Sequence, residues 1–306
     1  MSIRIRARLA TYRDRAETAG LNRVLLYGTL TVLVVFYLIP IETGFMTSLK
    51  TANAVTETAP YAPPSPSSFT LEKWKTAFAG LSRGLLNSLV MAIPATVFSA
   101  VLGSFTAYGI TKAEWRGQNA VLALLVAGIF IPYQSVLVPL SRFWAIYLNL
   151  EDLLGPVWSL PFLESAHADL LALILTHTAY GIPLMTLLFR SHYNTISDEM
   201  IEAARLDGAS FARIYRKIIL PLSTPMFAVT LIFQFTQIWN DLLFALILIS
   251  SEGSPVAPVT LILAGFGQSQ SGLDFGLRMA GALMTALPPL TVYLFFGDEF
   301  AEGVAT

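Results

Sequence analysis

Cysteine is absent from the 306 residues, so neither a disulfide framework nor a thiolate site is open to this chain. Charge is also scarce, at 13% Asp, Glu, Lys and Arg against about 25% in an ordinary soluble domain. The formal net charge is −1 and no basic belt offers a nucleic-acid surface. Three histidines form no cluster at ligand spacing, which leaves no metal site. No G-x-x-x-x-G-K-[ST] stretch occurs, so the chain carries no phosphate-cradling ATPase loop. No convergent nucleophile and base stand out, and no catalytic residue is assigned.

What is present is apolar. Hydrophobic residues make up 55% of the chain, and runs recur at residues 24–49, 85–110, 119–145, 168–190, 222–250 and 275–297. Each run approaches the roughly 20 residues that cross a bilayer. The expected fold is all-α: a polytopic membrane bundle of six transmembrane helices over 24–297, between an N-terminal segment 1–23 and a tail 298–306. Pro94, Gly103, Gly128, Pro132, Pro139 and Pro183 lie inside these runs and are tolerated where neighbouring helices repair the lost bonds. The first run lacks a small-residue cleavage pattern and is read as a retained helix. Arg4, Arg6, Arg8, Arg13, Arg15 and Arg23 precede it, Lys112 and Arg116 sit in the second connection, and five bases lie from Arg190 to Lys217. These are the cytoplasmic sides if positive charge stays inside, and six spans then put both termini in the cytoplasm.

Three connections stand out. Pro60, Pro63, Pro64 and Pro66 predict an extended stiff connection before a short helix near Glu72–Phe78. Phe143, Trp144, Tyr147, Trp158 and Phe162 mark a membrane interface around an acidic, base-free segment. The stretch EAARLDGASFARIYRKIILP, Glu202 to Pro221, keeps helical period among apolar runs. Asp198 and Glu199 favour a helix start there, and Ile201, Ala204 and Leu206 give it a partly apolar side. Gly208 then interrupts, and Phe211, Ile214, Ile218 and Ile219 resume the period. Two short helices hinged at Gly208, or one amphipathic surface helix, fit this pattern.

The run EAARLDGASFARIYRKIILPLSTP resembles the coupling-loop motif of ATP-binding-cassette importer permeases. It matches at Glu202, Ala203, Ala204, Asp207, Gly208, Ile219, Leu220 and Pro221. Asn87 and Ser88, Ala107 and Tyr108, IPYQSVLVPL from Ile131 to Leu140, and Trp239, Asn240 and Asp241 extend the resemblance over nearly the whole chain. It is similar to carbohydrate permeases of the shorter maltose-importer type. The resemblance implies a coupling loop, 194–221, that docks into a cytoplasmic ATPase dimer. In it Glu202 to Gly208 convert ATPase closure into helix movement, and Ile219 to Pro221 tie the loop to the fifth span. It also implies a sister permease, an extracytoplasmic sugar-binding protein, and ATP with magnesium held by the partner ATPase, with no cofactor bound by this chain. The segment FQFTQIWNDLLFALILISSEGSPVAPVTLIL resembles glucose or mannose members, which points to a monosaccharide such as glucose. The ending GDEFAEGVAT departs from the family pattern and puts a tail contact with the ATPase in doubt.

For the substrate path, polar groups in apolar spans face a cavity or a partner helix. Gln234, Gln237 and Asp241 are spaced to share a face, and Gln134, Trp239 and Asn240 complete the candidate set. A helix cap or subunit contact for Asn240 and Asp241 is an equal reading. His177 is the lone histidine in a membrane span and Glu42 the lone carboxylate in the first, neither with an evident partner at ligand spacing. An ion-coupled secondary transporter subunit, which does not account for the coupling-loop motif, and a structural membrane subunit stand as alternatives.

Overall fold

The computed structural model describes residues 2–113, 115–249, 251–269 and 272–305, with backbone alone for 2–19, Ser269 and 298–305. The first helix, α1, runs over Ser2–Ser48 and is followed by the short α2, Ala52–Glu57. Next come α3 at Glu72–Lys112, α4 at Gln118–Ile129, α5 at Tyr133–Arg142, and the one-turn α6 at Leu150–Leu153. The long α7, His167–Tyr193, leads to α8, Asp198–Leu206, then α9, Phe211–Ile214, and α10, Leu220–Leu222. The chain closes with α11 at Thr224–Trp239, α12 at Leu243–Leu248, α13 at Val259–Gly265 and α14 at Phe275–Ala305. The strands among the described residues are two residues long, at Gln268–Ser269 and Gly272–Leu273.

Four stretches are continuous, long and apolar enough to cross a membrane: Gly20–Ser48, Glu72–Lys112, His167–Tyr193 and Phe275–Gly297. In place of the expected span 119–145 stands a bent pair, Gln118–Ile129 with Tyr133–Leu153 at 100°; the expected run 222–250 is split at 240–242, and its first part, Thr224–Trp239, pairs with Phe211–Leu222 at 75°. Pro132 explains the first break. A proline pushes the preceding residue out of helical backbone, and Pro132 itself caps α5 in extended conformation, with ψ of 138°. The short helix expected at Glu72–Phe78 is the opening of the 41-residue α3.

The chain divides into two compact units, 1–75 with 269–283 and 76–268 with 284–306. In the first, the proline-rich connection is not the extended linker expected. Lys50 is buried, and its Nζ donates to the carbonyls of Ala59 at 2.7 Å and Pro60 at 3.4 Å. A buried ammonium needs acceptors, so the loop folds over it. Thr51 N to Ser68 O at 2.9 Å and Thr70 N to Leu49 O at 2.8 Å close the base. Lys73 pairs with Asp274 in the same unit.

The second unit is built on one face of α3. Ser88, Ala92, Ala95, Ser99, Gly103 and Ala107 recur every three or four residues, and all are buried. Lipid tails are as apolar as leucine, so membrane helices associate by close approach at small residues more than by hydrophobic gain. At Gly103 an added Cβ would stand 2.5 Å from Met185 Cβ and 3.0 Å from the Thr186 nitrogen of α7. Ser99 Oγ donates to the Ala95 carbonyl of its own helix at 2.7 Å and approaches Thr178 O of α7 at 3.2 Å. At one end of the stripe, Asn87 Nδ2 donates to Pro255 O at 2.8 Å and Ala257 O at 3.0 Å, and Ser88 Oγ accepts from Val259 N at 2.8 Å, fixing the start of α13.

The stripe makes a directional prediction. Gly103→Val is expected to destabilise by about 1–3 kcal/mol through overpacking, lowering the melting temperature of the detergent-solubilised protein. Gly109→Ala, on the same helix with nothing within 4 Å of the new Cβ, is expected to leave it unchanged or raise it.

Candidate functional site

Two groups of residues have the geometry of a site, one in the charged stretch and one between the helices. Ser197 opens α8 by accepting from Met200 N at 3.3 Å, and Ser210 opens α9 by accepting from Arg213 N at 3.3 Å. Gly208 lies between them with φ of +77°, in the left-handed region that a residue with a Cβ enters only with strain. The stretch is thus two short helices turned at one glycine.

Its two sides differ sharply. Ile201, Ile214 and Ile219 are buried with Ala107 and Tyr108 of α3, Phe189 and Tyr193 of α7, and Met226 of α11. Tyr108 stacks on Phe211 at 4.0 Å between ring centroids, and its hydroxyl donates to the Phe211 carbonyl at 3.0 Å. Ser104 Oγ meets the hydroxyls of Tyr193 at 2.6 Å and Tyr215 at 2.7 Å. Three membrane helices therefore hold one loop. The opposite side is bare: Glu202, Ala203, Asp207 and Gly208 are exposed, and Leu206 is 90% exposed. Leu206 thus lies away from Ile201 and Ala204, not beside them as its period suggested. Of the closing residues, Ile219 is buried while Leu220 and Pro221 face outward.

A residue read from the sequence only as a cytoplasmic charge locks this loop. Lys112, the last residue of α3, is buried and donates to Ile196 O at 3.0 Å and Asp198 Oδ1 at 2.7 Å. Arg205 returns the contact, donating from Nη2 to Lys112 O at 2.7 Å. The partners lie 86 residues apart, so nothing local signals the pair; a lysine ending a long apolar helix was the available hint. The hydrogen bond from Lys112, and then its charge, hold the Asp198 carboxyl below its ordinary range.

The second group lines a cavity of about 50 Å³ between α5, α7 and α11. Gln234, Gln237 and Asp241 come together there as their spacing indicated, joined by His177, Tyr133 and Tyr180. His177, expected to lack a partner, lies 3.5 Å from Asp241 through Nε2 and Oδ2. Asp241 also caps α12 by accepting from Phe244 N at 3.1 Å, so cap and cavity roles coexist. The other candidates fall elsewhere. Trp239 is buried with its indole donating to Thr285 O at 3.0 Å. Asn240 is exposed and bonds back to Thr236 O at 2.9 Å. Gln134 is exposed outside the cavity. Among the described residues, no group of three or more His, Asp or Glu is placed to hold a metal ion.

Lys112→Met is expected to leave Ile196 O unpaired at about 1–3 kcal/mol and to speed tryptic cleavage after Arg205 in the folded protein. Because the Asp198 carboxyl is depressed in the folded state, its contribution is present at neutral pH. It is lost only as pH falls below about 4, so the cleavage rate of the unsubstituted protein, measured with a protease active across that range, is expected to stay flat down to there.

Residues 75–297 match the family described as "Binding-protein-dependent transport system inner membrane component". The chain is 47% identical over 291 residues to the xylose/arabinose import permease protein XacI of Haloferax volcanii, covering 95% of this chain and 94% of that one. It is 27% identical to the glucose import system permease protein GlcU of Saccharolobus solfataricus, covering 95% and 96%. Its fold is similar to a chain of a bacterial ABC transporter that imports the acidic polysaccharide alginate, with TM-score 0.69, 20% identity and coverage of 94% and 98%.

Proposed function

The chain belongs to the binding-protein-dependent transport system inner membrane components and is an ABC carbohydrate importer permease, and from that premise we propose that it forms half of a translocation path and couples ATPase closure to alternating access. It is a multi-pass membrane protein and a transport subunit, not an enzyme. One observation carries the coupling assignment: the loop 194–221 is buried on one side against α3, α7 and α11 and bare on the other. A force applied to the bare side reaches three membrane helices through one packed aromatic cluster.

On this reading Leu206 enters an apolar cleft of the ATPase, while Glu202 takes a charge-assisted bond from a partner base. Ala203 and Ala204 allow close docking, and Asp207 and Gly208 make the turn. Ile219 anchors the loop, and Leu220 and Pro221 lead into the bend before α11. The ATP and magnesium belong to a dimer of separate ATPase subunits. A sister permease completes the path and an extracytoplasmic binding protein delivers the sugar. Both termini are cytoplasmic. Within the path, Gln234 and Gln237 supply hydroxyl-matching groups, and Gln134, Trp239 and Asn240 serve packing or subunit contacts.

The substrate is a monosaccharide. Glucose is the expectation from the sequence and is supported by the glucose relative. The more similar xylose/arabinose relative, at 47% identity, favours a pentose.

The decisive experiment is uptake of labelled xylose, arabinose and glucose into vesicles containing the chain with its sister permease, ATPase and binding protein. Transport is expected to require ATP, to favour a pentose over glucose, and to fall at least tenfold in an assembled Gly208→Trp complex. Normal uptake by that complex would sink the coupling assignment; transport of glucose alone would overturn the pentose reading.

A further inference from the structure

His177 is one of five described residues with a buried side-chain polar atom that makes no hydrogen bond, and the one that lines the polar cavity. It is 4% exposed, and its Nε2 makes no hydrogen bond. Asp241 Oδ2, 3.5 Å from it, already accepts the amide of Phe244. A buried polar nitrogen left without a partner is costly, and more so in a membrane span, where water does not reach from the lipid. Gln234 and Gln237 line the same cavity, and among the described residues neither side-chain amide is engaged by protein. One donor or acceptor on α7 and two amides on α11 therefore converge on one space beside a carboxylate.

The wall of that space is aromatic. Tyr133 and Tyr180 lie 4.5 Å apart by ring centroids, and both approach Phe244. Apolar ring faces beside convergent amide, imidazole and carboxylate groups suit a polyhydroxylated ring, with C–H faces on the aromatics and hydroxyls on the polar set. Resting on the importer reading above, we propose that His177, Gln234, Gln237 and Asp241 form a sugar-hydroxyl site in this chain itself, closed in the present conformation by Tyr133. The permease then selects among sugars as well as passing what the binding protein delivers.

The closure is readable in the geometry. At about 50 Å³ the cavity is well below the roughly 300 Å³ at which ligand pockets begin. Tyr133 is the first residue of α5, immediately after the break at Pro132, and Tyr180 donates its hydroxyl to Ile131 O at 3.0 Å across that break. Movement at the break carries Tyr133 away and enlarges the cavity without unpacking α7 from α11. A hydroxyl entering there can donate to His177 Nε2 or to Asp241 and accept from a glutamine amide.

The test uses the assembled complex in vesicles, with His177→Phe and Gln237→Leu measured on the imported sugar and on its single-deoxy analogues. For each sugar the variant is divided by the unsubstituted complex, which cancels the preference of the binding protein. The parent sugar is expected to show a KM raised about tenfold. That loss is expected to vanish for the one deoxy analogue lacking the bound hydroxyl. Equal losses for every analogue, or none, overturn the site and leave the nitrogen of His177 to a structural water. Gln237 is exposed to the cavity side, so its variant carries the test if His177→Phe does not assemble. If the unsubstituted complex hydrolyses ATP but imports no sugar, the importer reading fails, and this site falls with it for that separate reason.

Discussion

Close approach along one face of α3 is the constraint on which the second unit depends. In a membrane the hydrophobic effect does little to choose between helix–helix and helix–lipid contact, so the choice rests on shape and on satisfied polar groups. Ser88, Ser99, Gly103, Ser104 and Ala107 supply both. Their small size lets α7 come within van der Waals contact at Gly103, and their hydroxyls engage backbone and tyrosine groups of neighbouring elements. A large residue on this stripe would separate the helices before any functional group was disturbed.

Both functional features hang from that helix. Fifteen residues into it, Asn87 and Ser88 hold the segment leading into α13. At its end, Tyr108 and Lys112 hold the two short helices of the charged loop. The same packing places α7 against α11 so that His177 faces Gln234 and Asp241. On the proposed coupling, α3 passes displacement of the loop to α7 and α11, which pack with it and line the polar cavity. The bend at Pro132 is tied to α7 by the Tyr180 hydroxyl on the Ile131 carbonyl.

The loop also separates two kinds of interaction that a motif compresses into one string. The isoleucines and aromatics are anchoring groups, buried against the helices, and the small and acidic residues around Gly208 form a bare tip. Glu202 and Leu206 stay available because Ile201, Ile214 and Ile219 satisfy the packing, and because Lys112 takes up Asp198.

Much of this was legible in the residues alone. Scarce charge and six apolar runs required a membrane bundle, the period around Gly208 allowed two turned helices or one amphipathic helix, and the three-and-four spacing of Gln234, Gln237 and Asp241 put them on one face. Spacing along a chain reports which side chains share a face of one helix. It does not report which partner that face meets. Only tertiary structure decided that Leu206 points outward, that Trp239 packs inward, that Pro132 turns a span by 100°, and that the proline-rich connection folds over Lys50. It alone joined Lys112 to Asp198 and His177 to Asp241, because contacts between residues this far apart depend on how whole helices pack and not on any local preference of the chain.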